Sequence, residues 1–116
     1  MRAWVYSPHS GGRPIPSAVR LRTEQRIRSY AAAHYAGRFR KLDIRFRGAL
    51  CYIDAWVGEG AGPFHLCRLR FFGNEEAWSL AFYTYSHERY EPTFFPNGTF
   101  QGTPEEAFDV GAVYLQ

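Results

Sequence analysis

The sequence predicts a single α+β domain: an N-terminal helix packed on one face of a four- to six-stranded antiparallel meander, with a short C-terminal helix. Three observations support this fold class. Apolar residues recur at helical spacing over 17–35, they alternate with polar residues from residue 42 onward, and a helix-capping pattern appears at 103–106. Short turns join the alternating segments, so consecutive strands are expected to pair as neighbours while the helices cover one face of the sheet.

The first element is a helix that follows an extended arm. Residues 1–16 are rich in Gly and Pro and are expected to form an N-terminal arm, which leaves 17–116 as the α+β domain. The helix is expected to begin at about Ser17 as its N-cap and to run to Tyr35, where Gly37 ends it. Its packed face is formed by residues at helical spacing, namely Val19, Thr23, Ile27, Tyr30, Ala31 and His34.

Two hairpins are predicted from the alternation of apolar and polar residues. A two-residue turn that starts at Gly48 places Phe46 opposite Cys51. A four-residue loop later in the chain places Leu69 opposite Leu80. Both registers bring apolar side chains together on one face, which a register shifted by one residue would not do.

The loop between the two hairpins, residues 58–63, is expected to shift the register between the strands on either side. A bulge there would place Asp54 opposite Arg68 and Tyr52 opposite Arg70. The two hairpins would then form one continuous sheet.

The chain is expected to end with an edge strand and a short helix. Pro92 cannot donate a hydrogen bond to a sheet ladder, so the fifth strand is predicted to lie at an edge. Thr103, Pro104 and Glu106 provide the N-cap, first-turn proline and capping box of the final helix. The packing stripe of that helix is expected to consist of Phe108, Gly111, Ala112 and Leu115.

Alternation leaves the sheet face opposite the helices rich in arginine and tyrosine. Arginine holds phosphate groups and aromatic rings stack on bases, and single-stranded nucleic acid requires both. Similar Arg–Tyr and Arg–Asp pairs also stabilise ordinary solvated sheets. Leu66 is predicted on the same face. The expected ligand-binding residues are Arg45, Arg47, Tyr52, Asp54, Trp56, Arg68, Arg70, Tyr83 and Tyr85.

Charge is distributed unevenly along the chain. Residues 1–48 carry a net charge of +9 and residues 49–116 a net charge of −6, within a total of +3. Such asymmetry indicates either an anionic partner for the basic part or attraction between two copies. A homodimer is expected on this basis, particularly if Trp56, Leu66 and Tyr83 remain uncovered.

The leading functional hypothesis is a non-enzymatic module that binds single-stranded nucleic acid on the arginine- and tyrosine-rich face. The first alternative is a subunit that uses the same face to recognise an acidic protein or to build a homo-oligomer. The second is a small metal-independent nuclease or other hydrolase, in which Asp54 or His87 acts as a base beside arginine. No residue is assigned a catalytic role.

No cofactor or metal site is predicted. The four histidines lack the spacing of metal ligands, and the glycines of 58–62 lack the Lys-Ser/Thr of a phosphate-binding loop. Cys51 and Cys67 are expected to be buried, reduced thiols, which fits a cytoplasmic location. No apolar run is long enough to cross a bilayer and the first residues do not resemble a signal peptide, so no membrane association is expected.

Overall fold

The computed structural model describes residues 10–60 and 62–115. Helix α1 precedes five strands, and helix α2 with a short 3₁₀ helix follows them. The bounds are α1 Ser17–His34, β1 Lys41–Arg47, β2 Leu50–Trp56, β3 Phe64–Arg70, β4 Ser79–Thr84, β5 Arg89–Pro92, α2 Pro104–Gly111 and the 3₁₀ helix Ala112–Leu115. The strands form one antiparallel sheet in the order β1-β2-β3-β4-β5. The predicted α+β fold class is therefore confirmed.

The N-cap of helix α1 lies one residue earlier than predicted. Pro16, in an extended conformation, is the N-cap and provides no side-chain hydrogen bond, whereas Ser17 already lies within the helix. The predicted role of Ser17 was therefore wrong, because the fixed φ of a proline also suits the residue that leads into a helix. The buried positions of α1 share the expected face, and they are Val19, Thr23, Ile27 and Ala31.

Residues 10–16 run along the sheet before α1 begins. The backbone N–H of Arg13 donates to the carbonyl of Phe71 at 2.8 Å, and that of Ile15 donates to the carbonyl of Gly48 at 3.0 Å. The Ile15 side chain is buried in the core. These contacts attach the segment to the end of the sheet where β2 begins and β3 ends. The other residues of the predicted arm, 1–9, lie outside the described residues.

The predicted registers of both hairpins are confirmed. Phe46 pairs with Cys51 between β1 and β2, and Leu69 pairs with Leu80 between β3 and β4. Pro92 lies in β5, at the edge of the sheet.

The register between the hairpins differs from the prediction. Tyr52 pairs with Arg68, not with Arg70, and Asp54 pairs with His65, not with Arg68. The shift falls within the strands, between Ile53 and Asp54, and not in the loop. The partner of Tyr52 differs from the prediction by two residues and that of Asp54 by three, and a bulge within β3 accounts for the extra residue of the second offset.

The extra residue of the bulge is Leu66. Ile53 pairs with Cys67 and Asp54 with His65, so Leu66 has no partner on β2. Its side chain is buried, and its Cβ and backbone lie against Gly111 of α2. The predicted position of Leu66 on the face opposite the helices was therefore wrong, and His65 faces that side in its place.

The core lies between the sheet and the two helices. Trp78 is fully buried, with its ring 4.9 Å from that of Phe71. The Trp78 indole N–H donates to the carbonyl of Glu75 at 2.8 Å, which satisfies its polar atom. Cys51 and Cys67 are buried free thiols, and burial raises the pKa of Cys67 to about 12.

Helix α2 covers the centre of the sheet. Thr103 and Glu106 form the predicted capping box, with Pro104 in the first turn. The predicted packing stripe is buried throughout, at Phe108, Gly111, Ala112 and Leu115. Within the described ranges, no helix is both long and apolar enough to cross a membrane.

Candidate functional site

The sheet face opposite the helices, called here the open face, carries most of the predicted ligand-binding residues. The strand registers and the contact between His65 and Tyr83 arrange its side chains in four rows across the sheet. The central row contains Asp43, Asp54, His65, Tyr83 and Tyr90. The row on one side of it contains Arg45, Tyr52, Arg68 and Ala81. The row on the other side contains Lys41 and Trp56. Arg47, Leu50, Arg70 and Ser79 form the far end.

A buried carboxylate lies at the centre of the open face. The Asp54 side chain is only 3 % exposed. Its Oδ2 accepts a hydrogen bond from Arg45 Nη1 at 2.7 Å, and its Oδ1 lies 3.0 Å from His65 Nδ1. The hydrogen bond to Asp54 raises the pKa of Arg45, so the guanidinium stays charged. Two partners thus compensate the cost of burying this carboxylate.

Three aromatic rings pack around His65, and a fourth, that of Tyr52, joins them through Tyr90. The Tyr83 ring centroid is 4.7 Å from the imidazole, and Tyr90 and Tyr85 are 6.3 and 6.5 Å away. Tyr83 contacts both Tyr85 and Tyr90 edge to face, and Tyr90 contacts Tyr52 in the same way. Burial raises the pKa of the Tyr90 hydroxyl, and the Asp54 carboxylate adds to this effect. The rings form one continuous, half-buried layer.

Tyr85 lies beyond the end of β4, at the rim of this layer. Its hydroxyl accepts a hydrogen bond from the backbone N–H of His65 at 2.7 Å. This bond connects the rim to the bulged strand.

Two arginines lie over tyrosine rings on the open face. The guanidinium carbon of Arg45 is 5.4 Å from the centroid of Tyr52, and that of Arg68 is 5.2 Å from the centroid of Tyr90. Both distances are within the range of a cation–π contact. The predicted alternation of arginine and tyrosine therefore corresponds to direct contacts between these side chains.

The remaining predicted residues lie at the two ends of the face. Trp56 lies at one end, where Arg40 and Lys41 are 5.7 and 5.6 Å from its ring centroid. Its buried indole Nε1 has no hydrogen-bond partner within residues 10–60 and 62–115. Arg47 and Arg70 lie at the other end, and Arg70 Nη1 donates to the carbonyl of Gly11 at 2.9 Å. The nine predicted residues thus extend along the whole face.

Part of the opposite charge of the two chain halves is paired on the helical side of the sheet. Arg22 of α1 contacts Glu75 at 2.8 Å. Arg26 contacts both Glu76 and Glu105 at 2.7 Å. These pairs join cations of the basic N-terminal part to carboxylates of the acidic C-terminal part.

The cations at the two ends of β1, Lys41 and Arg47, are compensated less completely. Asp43 and Asp54, the two carboxylates in its rows, both contact Arg45, at 3.3 and 2.7 Å. Arg47 is exposed, and its side chain makes no hydrogen bond or ion pair with any other described residue. The Glu91 carboxylate is paired with Arg89 and His87, outside the rows of the face. Positive charge therefore exceeds negative charge on the open face and along its β1 edge.

Two residues of the site were missed by the sequence analysis, His65 and Tyr90. Strict alternation from Leu66 would place His65 on the covered face, because alternation does not allow for a bulge. Tyr90 lies in the short strand β5, and the side of the sheet that it faces follows only from its pairing with Tyr83. His87, the histidine considered from sequence, lies in the turn after β4 and contacts Glu91.

The geometry defines a helix-covered antiparallel sheet with a polar and aromatic open face. Comparisons with models of known protein families, with characterised proteins and with solved structures found no significant match. Among the described residues, no three His, Cys, Asp or Glu side chains are grouped so that they could hold a metal ion.

Proposed function

We propose that this protein binds single-stranded nucleic acid along the open face of its sheet. The observation that carries the proposal is the distribution of charge after folding. Arg22 and Arg26 of the helical layer are paired with carboxylates, whereas the open face keeps an excess of cations beside aromatic rings. A polyanion with exposed bases is the class of ligand that uses both features.

Phosphate groups are the expected ligands of the exposed cations. Arg47 and Lys41 lie at opposite ends of β1, and a strand of about seven residues spans roughly 20 Å. An extended nucleic-acid strand that follows β1 would meet a cation at each end of it. Arg45, between them, is held against Asp54 and contributes less free charge.

Bases have two kinds of stacking surface on the open face. The Trp56 ring lies beside Arg40 and Lys41, so a stacked base would remain close to cations that hold its phosphate. Arg45 and Arg68 lie over tyrosine rings, and a guanidinium plane can itself stack on a base. This arrangement favours unpaired bases over duplex, whose bases are already stacked.

An acidic protein is the second candidate ligand, because the same cations would bind surface carboxylates. The two ligands differ in their dependence on the rings. A base that stacks on Trp56 or Tyr52 loses roughly 1–3 kcal/mol when the ring is removed. An ion pair between exposed side chains contributes less than about 1 kcal/mol and does not require a ring.

Fluorescence anisotropy with short single-stranded RNA and DNA oligomers tests the proposal. We expect binding that weakens with salt, with a slope of log affinity against log salt of about −0.7 for each phosphate contact. Arg47→Glu should reduce both the affinity and the slope for every sequence. Trp56→Ala should cost roughly 1–3 kcal/mol and leave the slope unchanged. Arg28→Glu is the matched control, because Arg28 lies on α1 and pairs with Glu24.

Two results would contradict the proposal. One is the absence of binding at low salt to any oligomer. The other is binding that Arg28→Glu weakens as much as Arg47→Glu does, since the interaction would then follow net charge and not the open face. Thermal denaturation of each variant separates loss of binding from loss of folding.

A further inference from the structure

We propose that His65 is a general base that cleaves single-stranded RNA bound on the open face, with Asp54 as the residue that positions it. The inference rests on the proposed function, because it takes the bound nucleic acid as the substrate. It adds a reaction, and it assigns roles to two side chains that binding alone does not require.

The contact between Asp54 and His65 sets the orientation of the imidazole. A carboxylate that accepts from Nδ1–H keeps the proton on Nδ1 and leaves the lone pair of Nε2 available as a base. Asp54 suits this role because its side chain is only 3 % exposed, so water does not compete for its oxygens. Arg45 holds the second oxygen at 2.7 Å, which fixes the carboxylate in place.

The imidazole of His65 remains accessible although its partner is buried. The side chain of His65 is 38 % exposed. Its Nε2 has no hydrogen-bond partner within the part of the chain that the structure describes. Tyr83 and Tyr90 flank the ring, so a nucleotide on the open face can reach Nε2 from the solvent side only.

Comparison with His87 shows what is particular to His65. His87 also contacts a carboxylate through Nδ1, at 3.1 Å from Glu91. However, the Glu91 side chain is 31 % exposed and is shared with Arg89, and His87 lies in a turn outside the open face. An exposed pair of this kind is weakly held, so His87 is a natural control for the role of His65.

The reaction that these groups support is intramolecular transesterification of RNA. His65 Nε2 takes the proton of a ribose 2′-hydroxyl, whose oxygen forms a new bond to the adjacent phosphorus. The bond between phosphorus and the 5′ oxygen breaks, and that oxygen takes a proton from water. The products are a 2′,3′-cyclic phosphate and a 5′-hydroxyl, and the imidazolium returns its proton to solvent.

The charge that develops on the phosphorane oxygens requires a nearby cation. Arg68 and His65 border the same ring, that of Tyr90, at 5.2 and 6.3 Å from its centroid. The guanidinium of Arg68 is therefore the cation placed to stabilise this charge. The substrate must contain a 2′-hydroxyl, so DNA should bind without being cleaved.

The test uses the full chain and a 5′-labelled single-stranded RNA oligomer, beside the DNA oligomer of the same sequence. We expect the RNA to be cleaved with 2′,3′-cyclic phosphate ends and the DNA to stay intact. His65→Ala should lower the cleavage rate by about 10²–10⁴-fold without weakening binding. His87→Ala, purified in parallel, should cleave as the unmodified protein does, which also excludes a contaminating nuclease.

The positioning role of Asp54 has its own readouts. Asp54→Asn should lower kcat by up to about 10⁴-fold, as expected for a carboxylate that orients a catalytic histidine, and leave KM nearly unchanged. Imidazole ¹⁵N NMR should show Nδ1 protonated in neutral His65 of the unmodified protein and a mixture of tautomers in Asp54→Asn. If Asp54→Asn does not fold, His65→Ala decides the proposal, because His65 lies at the surface.

The outcomes for the two proposals are distinguishable. RNA that binds but is not cleaved overturns the role of His65 and leaves the proposed function intact. Failure to bind either oligomer overturns both. Cleavage that is equal in His65→Ala and His87→Ala overturns the assignment of the base.

Discussion

Gly111 shows how a single atom can determine whether two elements meet. It is the last residue of α2, and a Cβ there would lie 2.9 Å from both the Cβ and the carbonyl oxygen of Leu66. Leu66 is the bulged residue of β3, so the helix approaches the sheet most closely where the strand protrudes. The absence of a side chain at Gly111 is therefore a requirement of the packing.

Gly111→Ala should destabilise the domain by about 1–3 kcal/mol, the usual cost of overpacking a core. The roughly 1 kcal/mol that alanine gains over glycine in a helix offsets part of this cost. Urea denaturation measures the change. Gly62→Ala is the control, because a Cβ there has no neighbour within 4 Å. Equal stability of the two variants would show that α2 can shift away from Leu66 without cost.

At the scale of the elements, Arg26 connects helix α1 to two neighbouring segments, the loop after β3 and helix α2. Its guanidinium donates to Glu76 in the loop after β3 and to Glu105 in the first turn of α2. The hydrogen bond from Arg26 lowers the pKa of Glu105 below its usual value. The free energy by which the Arg26–Glu105 ion pair stabilises the fold should therefore depend on pH.

The direction of that dependence follows from linkage. Because the pKa of Glu105 is lower in the folded protein, its contribution is fully present above its unfolded pKa of about 4.3 and is lost as the pH falls through its folded pKa. Arg26→Ala should cost about 1–2 kcal/mol near pH 7 and less at about pH 3. Denaturant unfolding at several pH values measures both numbers.

Arg28→Ala provides the comparison for Arg26→Ala. Arg28 pairs with Glu24 at a spacing of four residues, with both side chains exposed, and also donates to the carbonyl of Leu42 at 3.3 Å. Its removal should cost less than about 1 kcal/mol and change little with pH. If Arg26→Ala shows the same small and constant cost, the contacts of Arg26 with α2 do not hold the two helices together.

At the scale of the whole molecule, folding changes the basis of the expected homodimer. The helical layer pairs Arg22 and Arg26 with carboxylates of the same chain, so these charges no longer attract a second copy. Leu66 is buried under α2, which removes it from the apolar surface that a partner would cover. A homodimer remains a prediction, and the open face is the surface that it would use.

Light scattering at low and high salt, with and without an oligonucleotide, tests this prediction. A homodimer that uses the open face should dissociate when a single-stranded oligomer binds, because both need the same side chains. Arg47→Glu should change the affinity of the two copies for each other, whereas Arg28→Glu should not. A monomer at high protein concentration under every salt condition would contradict the prediction.

Much of the fold could be predicted because local patterns were unambiguous. The capping box at Thr103 and Glu106 requires only residues that are close in sequence. The two hairpins have short turns, and a shift of one residue would have placed Phe46 and Leu69 on the wrong face. Where a turn and an apolar pattern agree, the register follows from sequence alone.

The candidate site could be predicted only in outline. Alternation identified the arginine and tyrosine residues of the open face. It did not identify the bulge at Leu66, because a bulge has no fixed sequence signature and depends on how α2 packs. The bulge exchanges Leu66 for His65 on the open face and brings His65 to 3.0 Å from Asp54.

The sequence by itself therefore determined the order of the elements, the hairpin registers and the excess of arginine in the first half of the chain. Each of these depends on residues near one another in sequence. Only the tertiary structure decided which charges remain uncompensated and which histidine meets the buried carboxylate. Both depend on contacts between distant residues, such as Arg26 with Glu105 and Gly111 with Leu66, whose distances no local pattern encodes.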